Sequence, residues 1–394
     1  MREKLIQYLK THTSLVRKVW KLSRVVMQVL GWFIPVHPKT MIFCSFGGRK
    51  FDDSPKAIYE EICLRKEFDD WRLIWAFVDP EKYEIPRGER VKIDTFSFFK
   101  ALLLSKVWIS NSGMDRGINF YRRSTIHVET WHGTPLKKIG EDQNQNSLVG
   151  SGDKIKKILD KDTIRCAQSE YDRNIFQHVQ HATKDSYLLC DLPRNDQLTR
   201  FNEEDVKKAK SILGIKDGRK VILYMPTYRE YLVNEDYKTY IAPPIDINKW
   251  VKELGGEYVL LIRAHYAINA ALNIVDNDFV KDVSDYPYIN DLYMVADILI
   301  SDYSSAYFDY AILNRPMFCF AYDMEEYQEK RGLYMDLEKS LPCPIDYNED
   351  SLIEHIKTFD YTDACEATKV FHKKYAPFAG NASKAVVDKI LERL

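Results

Sequence analysis

The sequence predicts an α/β protein: two doubly wound, Rossmann-like domains facing a cleft, preceded by a basic, amphipathic N-terminal helical segment. Three observations predict it. From Met41 onward, short apolar runs such as Met41–Phe46 (MIFCSF), Trp71–Phe77 (WRLIWAF) and Lys220–Met225 (KVILYM) alternate with helix-like segments. The runs are apolar throughout rather than alternating, as strands are in a parallel sheet covered by helices on both faces. The chain's 394 residues suit two domains, each large enough to bury its own core.

Residues 1–39 are read as a membrane-associating segment. They carry Arg2, Lys4, Lys10, Arg17, Lys18, Lys21, Arg24 and Lys39 against the single acid Glu3. The apolar stretch Val25–Val36 is too short for a bilayer, which takes ~20 apolar residues, and it lacks a small-residue cleavage site. Cations interleaved with Leu5, Leu9, Leu15, Val16, Trp20 and Leu22 suit a helix lying in the interface of an anionic leaflet. An ordinary helix packed on the domain, with its cations solvated, is the alternative.

Residues 40–195 make the first domain. Strands are expected at Met41–Phe46, Trp71–Phe77, Val107–Ser110, Thr125–Glu129, Thr163–Ala167 and Tyr187–Cys190, and helices at Pro55–Lys66, near Phe98–Leu104 and at Tyr171–Gln180. Residues 196–394 make the second. It opens with a helix near Asp205–Leu213, then strands at Lys220–Met225, Tyr258–Ile262, Phe279–Val283, Asp297–Ser301 and Met317–Phe320. The polar segment Pro193–Phe201 is the expected hinge. Ligands of such folds bind at the carboxyl ends of strands, so the site is expected in the cleft.

A net charge of -1 gives no global pull toward nucleic acid, and no nucleic-acid partner is expected. The seven cysteines are scattered and unpaired in sequence, with Cys44, Cys166, Cys190 and Cys319 inside apolar runs. That pattern fits buried thiols in a reducing cytosol and opposes a zinc site or a disulfide framework. Neither GxxxxGK[ST] nor GxGxxG occurs, which disfavours ATP-dependent phosphoryl transfer and dinucleotide redox chemistry. No HExxH or Cys/His cluster suggests a metal, and no tightly bound cofactor is expected.

Three clusters follow strands at the site-forming end. Trp131-His132-Gly133-Thr134-Pro135-Leu136-Lys137 comes after the strand ending near Glu129. His132 has the side chain suited to accepting a hydroxyl proton near neutrality, and Gly133 permits close backbone approach. Arg263-Ala264-His265 follows YVLLI: the arginine can neutralise phosphate oxygens, and His265 can donate to developing phosphoryl charge. A helix-capping histidine is the plainer reading there. Ser301-Asp302-Tyr303-Ser304-Ser305-Ala306 opens a helix whose N–H groups and hydroxyls could hold a diphosphate, although a simple N-cap would look the same. Met225-Pro226-Thr227-Tyr228-Arg229 adds a hydroxyl and a cation after another strand.

Taken together and in this order, WHGTPLKKIG, LPRND, MPTYR, RAH and SDYSSAYFDYAILNRP followed by YD resemble the CDP-glycerol glycerophosphotransferase family of teichoic acid synthases. The resemblance covers roughly Phe43 to Leu341. It implies a GT-B fold, an acceptor-side first domain, a donor-binding second domain and attachment to the cytoplasmic face of a bacterial plasma membrane. It also implies a CDP-alditol donor, most often CDP-glycerol, a lipid-linked saccharide or polyol-phosphate acceptor, and release of CMP. Carried over by motif, the family's two functional histidines match His132 and His265, and its donor phosphate turn matches Asp302, Ser304 and Ser305. Thr227, Arg229 and Arg263 are further donor-side candidates, and Gly133, Thr134 and Lys137 acceptor-side ones. The expected reaction is displacement at the phosphorus bearing the alditol, with His132 as base and His265, Arg263 and the Ser304–Ser305 turn balancing charge.

Two departures stand out. Asp191-Leu192-Pro193-Arg194-Asn195-Asp196 lacks the glycine that the family often has two residues before the proline. Pro342-Cys343-Pro344 replaces a Pro-Gly-Pro-like turn. A nucleotide-sugar glycosyltransferase on the same fold and a non-catalytic, membrane-bound binding subunit are the alternative functions.

Overall fold

A computed structural model describes residues 13–116, 118, 124–143, 162–216, 218–229, 231, 243–264 and 275–394. The apolar runs form two parallel sheets. In the N-terminal lobe, β1 (His37–Cys44), β2 (Arg72–Phe77), β3 (Glu89–Lys92), β4 (Ser105–Ser110), β5 (Ile126–Glu129), β6 (Thr163–Ala167) and β7 (Tyr187–Leu189) lie in the order 3-2-1-4-5-6-7. In the C-terminal lobe, β8 (Lys220–Met225), β9 (Tyr258–Ile262), β10 (Val280–Asp282), β11 (Ile298–Ser301), β12 (Met317–Phe320) and β13 (Ile345–Asp346) lie in the order 10-9-8-11-12-13.

Neighbouring residues on each strand feed opposite cores. Met41 and Phe43 point into a cluster with Ile58, Trp75 and Phe77, while Ile42 and Cys44 point into another with Phe98, Leu102 and Trp108. In the other lobe, Val221 and Leu223 pack with Leu261 and Leu299, and Ile222 and Tyr224 pack with Leu260 and Trp250. Both faces are covered, which is why these strands read as unbroken apolar runs. All seven cysteines are free, and Cys44, Cys166, Cys190 and Cys319 are buried.

The sequence reading missed β3 and β13. Both are short edge strands: Glu89–Lys92 has no buried residue, so its identity comes from backbone pairing with β2 alone.

The expected hinge is a bonded junction. Pro193–Thr199 forms a 3₁₀ segment with Pro193, Asn195, Asp196 and Leu198 buried. Asp196 accepts from Ala382 N and Ser383 N, at 2.8 Å each, and so caps the last helix, Ala382–Leu391. That helix departs from the 196–394 boundary. It returns to the N-terminal lobe, where Ala382, Val386, Val387 and Ile390 join the core of Met41 and Trp75.

The first described helix, α1 (Thr13–Phe33), turns Met27 and Gly31 inward, with Ile34 just beyond its end packed on the same core. Leu22, Val25, Val26, Val29, Trp32 and Phe33 form an exposed stripe on the opposite face, Trp32 at 76% and Phe33 at 78%. Lys21 and Arg24 are exposed on its flank. Among the described residues no helix is long and apolar enough to cross a membrane.

Candidate functional site

The site is assembled where the carboxyl ends of the two sheets meet. His132 lies three residues past β5 and is exposed. Its ring stacks on Trp131 (centroids 4.7 Å, 17°) and tilts against Phe46 at 5.9 Å. Nδ1 lies 3.0 Å from the Asn111 carbonyl oxygen. A carbonyl can only accept, so Nδ1 carries the proton and Nε2 is left as the basic nitrogen. Asn111 is itself held by its side-chain oxygen, which accepts from Phe46 N at 2.8 Å.

Gly133 brings the His132 loop close against the C-terminal lobe. A Cβ there would fall 2.7 Å from Ser305 Oγ and 3.1 Å from Ser305 Cβ, at φ +152°. Only glycine lets the His132 loop sit against the Ser304–Ser305 turn.

In the C-terminal lobe, the charged ends of Arg229 and Asp302 face inward rather than onto the cleft. Arg229 is 2% exposed. Its Nε and Nη2 donate to the Asp323 carboxylate at 2.7 and 2.8 Å, and Nη1 donates to Asp302 at 2.9 Å. Its guanidinium also stacks over Tyr303, Tyr322 and Tyr327, 4.9–5.2 Å from each centroid. Asp302 accepts from Thr227 N at 2.9 Å and Tyr303 N at 2.6 Å. Arg229 and Asp302 thus build the frame that sets Thr227 and the serine turn. The physical reason is charge: a buried arginine needs its carboxylates.

Ser304 and Ser305 are half-buried beside this frame. Ser304 Oγ takes Ala306 N at 3.1 Å, so one N–H expected to face an anion is already bonded. The helix is a single turn, Ala306–Tyr310, continued by a 3₁₀ turn, and Ser305 makes no side-chain cap. Arg263 donates through Nη1 to the carbonyls of Tyr286 at 2.6 Å and Val283 at 3.3 Å, and it lines an interlobe cleft of about 440 Å³. His265 lies outside the described residues.

The acceptor-side candidates divide. Thr134 is buried, and its hydroxyl donates to Gln168 Oε1, a role in the lobe's interior. Lys137 forms an antiparallel bridge with Leu333, and Lys138 N donates to Gly332 O at 3.0 Å, so this segment is a second seam between the lobes.

Sequence reasoning quoted Arg194 only inside a motif, yet the structure makes it the knot of the site. Its Nη1 donates to Asp53 at 2.6 Å and to the His132 carbonyl at 3.0 Å, and Nη2 donates to Asp309 at 2.6 Å. Burial works against the guanidinium charge, but Asp309 and Asp53 outweigh it and raise the pKa. Burial likewise opposes the Asp53 charge, and Arg194 with the Ser54 N–H holds its carboxyl below the usual range. Asn195 reinforces the knot, donating to Asp309 at 2.9 Å. The His132 loop and the helix behind Ser305 therefore share one cation. No spacing pattern could have shown this, because its partners come from separate elements.

Comparison with known proteins identifies the family. The profile of the CDP-Glycerol:Poly(glycerophosphate) glycerophosphotransferase family matches residues 26–392. The teichoic acid glycerol-phosphate transferase of Staphylococcus aureus is 35% identical over 363 residues, covering 89% of this chain and 92% of that protein. The teichoic acid poly(glycerol phosphate) polymerase of Staphylococcus epidermidis is 34% identical over 90% of this chain, which spans about half (51%) of that longer protein. The solved structure of the wall teichoic acid polymerase TagF superimposes with a TM-score of 0.83 at 30% identity, covering 100% of this chain and 98% of that one. The chain belongs to the CDP-glycerol:poly(glycerophosphate) glycerophosphotransferase family.

Proposed function

We propose that the protein transfers glycerol phosphate from CDP-glycerol to a hydroxyl of a lipid-linked teichoic acid precursor and releases CMP. The observation that carries the chemistry is the His132 ring, fixed through Nδ1 with Nε2 unbonded among the described residues, on a loop pressed against Ser305. The acceptor oxygen bonds to the phosphorus that bears glycerol while the bridging phosphorus–oxygen bond breaks. CMP leaves with that electron pair, and the hydroxyl proton passes to His132 Nε2. Thr227, Ser304, Ser305 and Arg263 surround the donor phosphates, with Asp302 and Arg229 holding them in place. His265, matched by motif, supplies a further donor to the phosphoryl oxygens.

The test is CMP release from CDP-glycerol, CDP-ribitol and a UDP-sugar in the presence of a lipid-linked disaccharide. Acceptor-dependent CMP from a CDP-alditol is expected, and His132→Ala should lose about 10²–10⁴-fold in kcat with its fold intact. Turnover of the UDP-sugar alone would instead make the protein a glycosyltransferase.

Residues of α1 support a membrane surface as partner. An apolar stripe ending in exposed Trp32 and Phe33 beside Lys21 and Arg24 suits the headgroup region of an anionic leaflet. Val29→Glu with Trp32→Ser should release the protein from phosphatidylglycerol vesicles in a sedimentation assay. Unchanged sedimentation would exclude α1 as the anchor.

A further inference from the structure

His132 is held at its ring by the Asn111 carbonyl and at its own carbonyl by Arg194. Its loop is held again two residues on. Thr134 is 1% exposed, and its hydroxyl donates to Gln168 Oε1. The backbone in between is strained: Trp131 takes φ 55°, a left-handed value uncommon outside glycine, and Gly133 takes φ 152°. Such a backbone persists only where its surroundings over-determine it.

Gln168 directly follows β6 and is fully buried. Its backbone is fixed, since Gln168 N donates to Asp172 Oδ2 and Ser169 N to Asp172 Oδ1, each at 2.7 Å. Its amide works in two directions. Oε1 accepts from Thr134, and Nε2 donates to Asp191 Oδ1 at 2.7 Å. An amide does both at once, whereas an ionised carboxylate can only accept.

From Asp191 the bonds run back to the histidine. Asn195 Nδ2 donates to Asp191 Oδ1 at 3.2 Å and to Asp309 Oδ1 at 2.9 Å. Arg194 Nη2 donates to Asp309 Oδ2 at 2.6 Å, and its Nη1 reaches the His132 carbonyl at 3.0 Å. The path leaves the loop at Thr134 and rejoins it at His132, so it closes into a ring. Gln168, Asp191 and Asn195 are wholly buried and Asp309 is 3% exposed. Apolar residues of the same shape would hold a core about as well. What the polar bonds add is direction, and both ends of the path point at the His132 loop.

We propose that Gln168 is a positioning residue for the transfer reaction. Through Thr134 it fixes the far end of the His132 loop, and through Asp191 and Asn195 it ties that end to the Arg194–Asp309 pair that fixes the near end. The ring then sets where His132 Nε2 points relative to the Ser304–Ser305 turn, so its loss falls on turnover more than on binding of CDP-glycerol. This role rests on the transfer reading above and adds to it a buried group that touches neither substrate.

The test compares Thr134→Val, Thr134→Ser and Gln168→Met with the wild type in CMP release from CDP-glycerol and a lipid-linked disaccharide. In Thr134→Val and Gln168→Met, kcat should fall by about tenfold, with the KM for CDP-glycerol within about twofold. Thr134→Ser keeps the hydroxyl and should recover most of the loss. Thr134→Val/Gln168→Met should lose no more than Gln168→Met alone, because the two changes remove a shared bond. Wild-type kcat in a folded Thr134→Val, equal losses in Thr134→Ser, or losses that multiply in the double variant would each overturn the role. If Gln168→Met does not fold, the comparison of Thr134→Val with Thr134→Ser still decides. Nitrogen-15 NMR of labelled histidines at alkaline pH, with His132→Ala for assignment, reads the positioning without turnover. The wild type should hold His132 protonated at Nδ1, and Thr134→Val should shift it toward the Nε2–H tautomer; the same tautomer in both refutes the role. A wild type that shows this shift on substitution but releases no CMP would count against the transfer reading and leave the positioning role standing.

Discussion

Asp191 stands where the related motif has glycine, and its backbone takes φ 69°. A left-handed conformation costs a non-glycine residue about 1–2 kcal/mol, and here the side chain offsets it. Its Oδ1 accepts from Leu192 N at 2.5 Å, Gln168 Nε2 at 2.7 Å and Asn195 Nδ2 at 3.2 Å. Oδ2 is buried without a hydrogen-bond partner. Burial, aided by the Asp309 charge and opposed by these donors, pushes the Asp191 carboxyl up to about 8. The folded protein therefore holds a proton that the unfolded chain releases near pH ~3.9. Asp191 contributes its full stability below about pH 4, and the contribution is lost as pH rises toward about 8. Asp191→Asn retains the acceptor and tolerates the left-handed backbone, so its urea midpoint should fall less than the wild type's between about pH 5 and about pH 7.5. Identical slopes would show that Asp191 is ionised in the fold. At this same scale, the place of His132 was readable from its strand-end position. Its tautomer was not, because the Asn111 carbonyl comes from a different strand end.

Between elements, the decisive bonds are those of Arg194. It joins the start of the helix Asp53–Leu64, the His132 loop and the helix behind Ser305. Asp309→Asn removes one of its two carboxylates and leaves the Asp53 pair intact, which keeps the local charge balanced. The His132 loop would lose its register with the Ser304–Ser305 turn, so kcat should fall by about tenfold or more while the KM for CDP-glycerol changes less. Asp309→Glu should recover part of the loss. A variant with lower Tm but normal kcat would reduce Arg194 to a structural tie. The same scale explains why β3 and β13 escaped the sequence reading: exposed β3 has no buried face to print a pattern, and β13, two residues long with Asp346 as its buried one, is too short and too polar to print one.

For the whole molecule, the C-terminal helix matters most. Val386, Val387 and Ile390 are fully buried against the N-terminal sheet, and Arg65 pairs with Asp388 at 2.8 Å. The last residues of the chain thus complete the first lobe's core. Val386→Asp would bury an unpaired carboxylate there, and a loss of about 3–5 kcal/mol is expected in urea unfolding. The loss should appear in the N-terminal lobe, followed by its tryptophans Trp71, Trp75 and Trp108; an unshifted midpoint would mean the helix is only peripheral. A polar hinge was expected at Pro193–Phe201. Instead that segment caps this helix and carries Arg194, so the lobes are joined at several bonded seams.

By itself the sequence determined the two parallel sheets, the covering helices and the strand ends where His132, Thr227, Arg263 and the serine turn lie. Each of these follows from neighbours in the chain, through apolar runs that bury both faces and through the residues that directly follow a strand. Only the tertiary structure decided which charged groups face the cleft and which hold it together. Arg194 meets Asp53 across 141 positions and Asp309 across 115. Arg229 finds Asp323 across 94. Such pairs leave no period in the sequence, because what brings them together is the folding of distant loops and helix ends against one another, within a lobe as for Arg229 and Asp323 or at the junction as for Arg194.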